Sequence, residues 1–171
     1  ENSLFGNEWI PQIGANYQLT EKSVLKASVS KGFRSPTISE LYLFSPNPDL
    51  LPEEMMSYEL SYNTVLLKSK IYSEITLFLL DGQNLLEALP NPTPPPMTVR
   101  SNTGEFIHKG FEMELTYLPS NSVNVDMSYS YLNMDQPKLA APEHQLFLGL
   151  DYKTGNFNFS VQSNYVGGLY V

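Results

Sequence analysis

The chain has 171 residues, 18 acidic against 10 basic side chains, a formal net charge of −8 and no cysteine. That balance argues against a nucleic-acid partner, and the missing thiols remove a disulfide scaffold and a thiolate metal site. No apolar run approaches the length of a membrane helix, but this does not exclude membrane strands, which show only every second side chain to lipid.

Period-two alternation begins at Trp9. Trp9, Pro11, Ile13, Ala15, Tyr17 and Leu19 share one face, and Gln12, Gly14, Asn16 and Gln18 share the other. Successive side chains of an extended chain point to opposite faces, so the spacing predicts a strand over 9–19. After a polar turn at Thr20–Ser23, a second strand sets Leu25, Ala27, Val29 and Phe33 against Lys26, Ser28 and Ser30. A long link from Arg34 to Glu53 follows, in which Pro36, Pro46, Pro48 and Pro52 forbid a continuous ladder. The third strand sets Tyr58, Leu60, Tyr62 and Leu66 against Ser57, Glu59, Ser61 and Asn63. It turns at Lys68-Ser69-Lys70 into a fourth, with Ile71, Ile75, Leu77 and Leu79 against Glu74 and Thr76, where Phe78 and Leu80 blur the contrast. The next link, Asp81 to Asn102, holds the proline-rich run Pro90 to Pro96, which is expected to be unpaired and so an exposed loop.

Strand five places Phe111, Met113, Leu115 and Tyr117 opposite Glu112, Glu114 and Thr116. Pro119-Ser120-Asn121 turns into strand six, with Val123, Val125, Met127, Tyr129 and Tyr131 against Asn124, Asp126, Ser128 and Ser130. A link over Met134–Pro142 leads to strand seven, with Leu146, Leu148, Leu150 and Tyr152 against Gln145, Gly149 and Asp151. Lys153-Thr154-Gly155 turns into strand eight, where Phe157, Phe159, Val161 and Tyr165 oppose Asn158, Ser160, Gln162 and Asn164. No helix is required.

Turns after the odd strands are short and links after the even ones are longer. In a meander this puts short turns at one end and long loops at the other, the pattern of an outer-membrane barrel. The strands reach the ~10 residues that a tilted membrane strand needs. Tyr17, Tyr117 and Tyr152 fall near the short turns and Tyr129, Tyr131 and Tyr165 toward the other end, matching two aromatic girdles. The pattern predicts an all-β fold, a segment of an antiparallel up-and-down transmembrane β-barrel. A soluble β-sandwich binding module also alternates, but its strands are shorter and it needs a second apolar layer, which the Ser-, Asn- and Gln-rich face does not supply.

The run Ser30 to Tyr42, with Phe33, Arg34, Pro36, Glu40 and Leu41, resembles the Phe-Arg-Ala-Pro box of TonB-dependent outer-membrane receptors. Asn47, Pro48, Leu50, Pro52 and Glu53 lie in a segment similar to their Asn-Pro-Asn-Leu box, and Ser57-Tyr58-Glu59-Leu60 resembles the strand start after it. Asn102-Thr103-Gly104 to Gly110-Phe111-Glu112 and Pro142 to Leu146 resemble strand starts that descend from outer loops in the same family. The resemblance implies about eight strands of a barrel of about 22 strands closed around an N-terminal plug. The plug and final strands are expected outside residues 1–171. Glu1 to Gly6 carry no basic region and no apolar stretch, so any export signal is expected upstream or not at all.

The resemblance further implies location in the outer membrane of a Gram-negative bacterium, in contact with its lipid. It implies active import of a siderophore–iron or other metal chelate, with TonB acting through the plug. A passive porin or adhesin barrel is the alternative. On the polar face Glu59, Glu74, Glu112, Glu114 and Asp126 outnumber Lys26, and these carboxylates are expected to face the lumen or the plug. Arg34 is expected to bond loop carbonyls. His108 and Glu112, about 13 Å apart along a strand, are too distant to share an ion, so no metal site is expected there. His144 is expected at a membrane boundary, and Met55 and Met56 in packing. Haem receptors of the family carry a histidine between the two boxes, and Thr37 to Pro46 contains none. No catalytic constellation and no cofactor site is visible, so an enzyme is not expected.

Overall fold

The computed structural model describes residues 5–43, 45–93, 95–135 and 141–169. The strands are β1 (Gln12–Thr20), β2 (Ser23–Arg34), β3 (Glu53–Leu66), β4 (Ile71–Gln83), β5 (Leu86–Pro90), β6 (Thr98–Asn102), β7 (Glu105–Ser120), β8 (Val123–Met134), β9 (Pro142–Thr154) and β10 (Phe157–Leu169). Eight of them form one sheet in the order β1-β2-β3-β4-β7-β8-β9-β10, and β5 and β6 form a separate two-stranded sheet. The eight predicted strands are therefore those of the large sheet.

The chain divides into two compact units, one of Glu1–Ile13, Val29–Ser57 and Leu80–Ile107, the other of Gly14–Ser28, Tyr58–Leu79 and His108–Val171. The second contains the short turns and the middle of the meander. Its register sorts side chains by polarity across four strands. Tyr117, Val125, Leu150 and Val161 form one cross-strand row, and Leu115, Met127 and Leu148 form another over three strands, which Ser163 ends on β10. Thr116, Asp126, Gly149 and Gln162 form a row on the opposite face. A slip of one residue would exchange the two faces, so the alternation itself sets this pairing.

The apolar rows stay open. Leu148 is 43% exposed, Leu77 53% and Val161 67%, and none of the buried hydrophobic side chains among the described residues belongs to this unit. No second sheet covers them among the described residues, unlike the inner faces of a sandwich. Aromatic rings gather toward both strand ends. Tyr152 stacks on Phe159 and Phe159 on Phe157 near the β9–β10 turn, while Phe111, Tyr129, Tyr131 and His144 cluster toward the other end.

The polar face carries rings as well, and glycine accounts for them. Phe78 lies over Gly110, with its Cζ 2.7 Å from where a Gly110 Cβ would stand, and Phe147 lies over Gly149. In the first unit the ring of Phe106 covers Gly82 in the same way. A ring laid flat over a strand glycine fills the missing side chain. This is why Phe78 breaks the alternation without breaking the strand.

Three expectations are corrected. A helix does occur: α1 (Ile38–Tyr42) lies within the Arg34–Glu53 link, started by a capping box between Thr37 and Glu40. The run from Pro90 is not wholly unpaired, because the link around it folds back as the β5–β6 hairpin. Leu86 pairs with Asn102 and Pro90 with Thr98, and Pro92, Pro95 and Pro96 lie at the hairpin tip, where no ladder donor is needed. The tip is closed by Asn91, whose N–H donates to Met97 O at 2.9 Å and whose amide donates to Pro96 O at 2.8 Å. Strand bounds also move. β3 and β4 extend into the predicted links and β7 starts at Glu105, ahead of its alternating run, since near the loops the ladder continues where the alternation has faded. β1 starts at Gln12 rather than Trp9, since Pro11 has no N–H to donate. Most of the link over Met134–Pro142 lies outside the described residues.

Candidate functional site

The first unit contains the motif residues. Thr37 caps α1: its hydroxyl accepts from Glu40 N–H at 3.3 Å, while Glu40 Oε2 accepts from the Thr37 N–H at 2.8 Å and hydroxyl at 2.9 Å. Arg34, the last residue of β2, reaches two carboxylates rather than the loop carbonyls expected of it. Its Nε and Nη2 donate to Glu53 Oε2 and Oε1, a bidentate pair, and its Nη1 donates to Glu40 at 3.2 Å. Glu53 Oε1 also accepts from the Leu86 N–H at 2.7 Å, at the start of the β5–β6 hairpin.

Asn47 and Leu50 complete the arrangement. The Asn47 side chain accepts from Asp49 N–H at 3.0 Å, shaping the turn, and donates to Arg100 O on β6 at 2.8 Å. Leu50 and Leu41, 1% and 2% exposed, form with Leu86 the buried apolar cluster of the unit, and Phe5 packs against it. Pro36 is buried, Phe33 and Pro52 are half-buried, and Pro48 is exposed. The two boxes are thus drawn into one knot with the hairpin. Asn102, absent from the expected site, contributes two bonds to it: Leu51 N–H donates to its Oδ1 at 2.9 Å and its amide donates to Leu51 O at 3.0 Å. The Asn-Thr-Gly run before β7 was the available signal for it.

The Glu40 carboxyl is held below the usual carboxylate range. The Thr37 N–H is the largest cause, helped by the Thr37 hydroxyl and Arg34 and opposed by burial. A depressed carboxylate stabilises the fold above its unfolded pKa of about 4.3, and that contribution is lost as pH falls through the lower folded value. Acid below about pH 4.3 is therefore expected to loosen α1 before the sheet. Hydrogen exchange should show residues 38–42 opening while β8 and β9 stay protected; simultaneous opening would contradict it.

In the second unit the polar face is cross-linked by side chains. The Ser61 and Thr76 hydroxyls bond at 2.8 Å, and Thr116 donates to Asp126 Oδ1 at 2.7 Å. With its amide turned to satisfy both neighbours, Asn63 donates to Glu74 and accepts from Lys26 at 3.3 Å. Asn124 donates to Asp126 Oδ2, and its own Oδ1 is buried with no partner among the described residues. Glu59, Glu112 and Glu114 are exposed. Acceptors dominate this wall.

His144 lies at an aromatic boundary: its Nδ1 is 2.8 Å from the Tyr129 hydroxyl and its ring is 5.1 Å from that of Tyr131. Among the described residues no three His, Asp or Glu side chains are placed to hold a metal ion. Met55 and Met56 line a cleft of about 380 Å³ with Lys31, Glu54, Asp81 and Glu105.

All 171 residues match the family model for the β-barrel of TonB dependent receptor-like proteins. The iron-regulated outer membrane virulence protein of Vibrio cholerae is 27% identical across 95% of the chain, and the vitamin B12 transporter BtuB of Photobacterium profundum is 24% identical across 99%. The chain spans 29% of the length of each of these relatives. In fold it matches the siderophore receptor PirA of Pseudomonas aeruginosa with a TM-score of 0.78 at 20% identity, covering 95% of this chain and 31% of that one. The uncovered apolar rows face the lipid of the outer membrane, and the chain belongs to the TonB-dependent receptor family, as a stretch of its β-barrel.

Proposed function

We propose that the chain is part of an outer-membrane receptor that imports a scarce, bulky metal chelate, a siderophore–iron complex or vitamin B12, using energy delivered by TonB. The observation that carries this reading is the knot of Arg34, Glu40, Asn47, Leu50 and Glu53 with the β5–β6 hairpin. It turns two long links into a built structure, as a ligand-capturing vestibule requires and a simple pore does not. The relatives' names support the chelate class, and the chain's own residues do not single out one chelate. The reading makes the protein a transporter and assigns it no catalysis.

In this reading the acceptor-rich face, with Glu59, Glu74, Glu112, Glu114, Asp126 and Asn124 Oδ1, looks onto a plug supplied by another part of the receptor. Donors on that plug, arginine above all, are its natural complement. The test uses the complete receptor in a deletion strain. Uptake of labelled ferric enterobactin and cyanocobalamin is measured with and without functional TonB. The expected result is saturable uptake of at least one probe that disappears without TonB. Uptake that persists, growing linearly with concentration, would make the barrel a passive pore. Glu112→Lys with Glu114→Lys is expected to loosen the plug and raise the conductance of the purified receptor in planar bilayers; unchanged conductance would remove the plug from this face.

A further inference from the structure

We infer that Arg34 is a positioning residue whose guanidinium aims Glu53 so that the β5–β6 hairpin docks as a preformed wall. The vestibule role of that wall rests on the transport reading, whereas the docking does not.

The hairpin cannot take its orientation from the sheet. It leaves β4 through Asn84, with φ 60, and returns to β7 through Gly104, with φ +88. Both are left-handed positions that break the strand path, and they are tied to each other where Asn84 N–H donates to Gly104 O at 2.8 Å. Beyond this pair β5 and β6 bond only each other in the sheet ladder. Two pivots side by side leave the hairpin free to swing as one piece, so contacts with the 34–53 link must set its position.

Among the described residues these contacts are specific. Asn47 holds Arg100 O, Asn102 holds both polar atoms of Leu51, Leu86 packs on Leu41 and Leu50, and Glu53 holds the Leu86 N–H. Glu53 depends on Arg34. Its side chain is 19% exposed, and the same Oε1 that accepts from Leu86 accepts from Arg34 Nη2 at 3.1 Å. Without the guanidinium, a half-buried carboxylate would lose its counter-charge and turn toward water, and it would release the Leu86 N–H as it went. The third guanidinium nitrogen ties Glu40, and through it α1, to the same centre. A lysine ammonium at this position offers a point charge and cannot hold both carboxylates in the fixed planar fork.

The experiment is hydrogen–deuterium exchange of the complete receptor in detergent, wild type against Arg34→Ala and Arg34→Lys, with Asn102→Ala as a second route to the same release. Peptides over 84–104 are compared with peptides over β8, β9 and β10. In Arg34→Ala the hairpin amides are expected to exchange at least tenfold faster while the β8–β10 amides keep their wild-type rates. Arg34→Lys should fall between the two. Hairpin exchange at the wild-type rate in Arg34→Ala would overturn the inference. So would equal acceleration across β8–β10, which would make Arg34 a residue of global stability, and so would full restoration by lysine. If Arg34→Ala fails to fold, Arg34→Lys, which keeps the charge, still decides the matter by the same comparison of hairpin and strand peptides.

Discussion

Leu148→Arg is expected to cost the folded receptor about 2–4 kcal/mol in a bilayer, the range for a cationic side chain at the midplane of a membrane barrel. Leu148 is the central residue of β9, 43% exposed, beside Met127 on β8 and Ser163 on β10. In water a half-exposed leucine tolerates a charge cheaply. In hydrocarbon the guanidinium has no solvent and must stretch toward a headgroup. The matched control is Ser128→Arg, on the opposite face and paired with Glu114. There an arginine meets carboxylates and water, and the expected cost is under about 1 kcal/mol. Urea unfolding of the complete receptor refolded into lipid vesicles reads both values. Equal costs would mean that the two faces do not see different media, and the assignment of the apolar rows to lipid would fall.

Gly110→Ala is expected to destabilise the barrel by about 1–3 kcal/mol or more. A Cβ at this position would stand 1.9 Å from the carbonyl oxygen of Tyr131 and 2.7 Å from Cζ of Phe78. The ring could turn away, but the carbonyl belongs to the neighbouring strand β8 and can move only if the ladder moves. Phe78→Ala is therefore not expected to rescue Gly110→Ala. Gly149→Ala should be far milder, since its nearest neighbour is the Phe147 ring at 3.1 Å, a side chain able to give way. The temperature at which the folded receptor loses its compact mobility in detergent gels should drop clearly for Gly110→Ala and little for Gly149→Ala. Similar shifts for the two would show that β7 and β8 do not approach so closely there.

Much of the wall was legible because a membrane strand has one strict grammar. Val125, Leu148 and Val161 must alternate with Asp126, Gly149 and Gln162, since a slip would put polar atoms in hydrocarbon. Tyr152, near the β9–β10 turn, was readable for the same reason, and so was Tyr131, opposite His144 toward the other end, whereas Tyr129 sits in the middle of β8. Outside the bilayer that constraint lapses. There the extension of β3 back to Glu53 and of β4 to Gln83 left no alternating trace. The short helix did leave one, Thr37 with Glu40 three residues on, which is a capping-box spacing. The hairpin was hidden by its own prolines, which forbid pairing where they stand but stand mostly at the tip.

The boundary between the two kinds of knowledge is a physical one. Composition and period by themselves determined an all-β chain with one face for lipid and one for water, because solvent acts on each residue separately and in order along the strand. What Arg34, Glu53, Asn47, Asn102 and Leu50 do together was decided only by tertiary structure. Their bonds join positions up to 53 residues apart, Asn47 to Arg100, and each is a matter of distance and angle in space. A guanidinium near a loop base says nothing about which carboxylate it will meet until two left-handed residues bring the hairpin back to it.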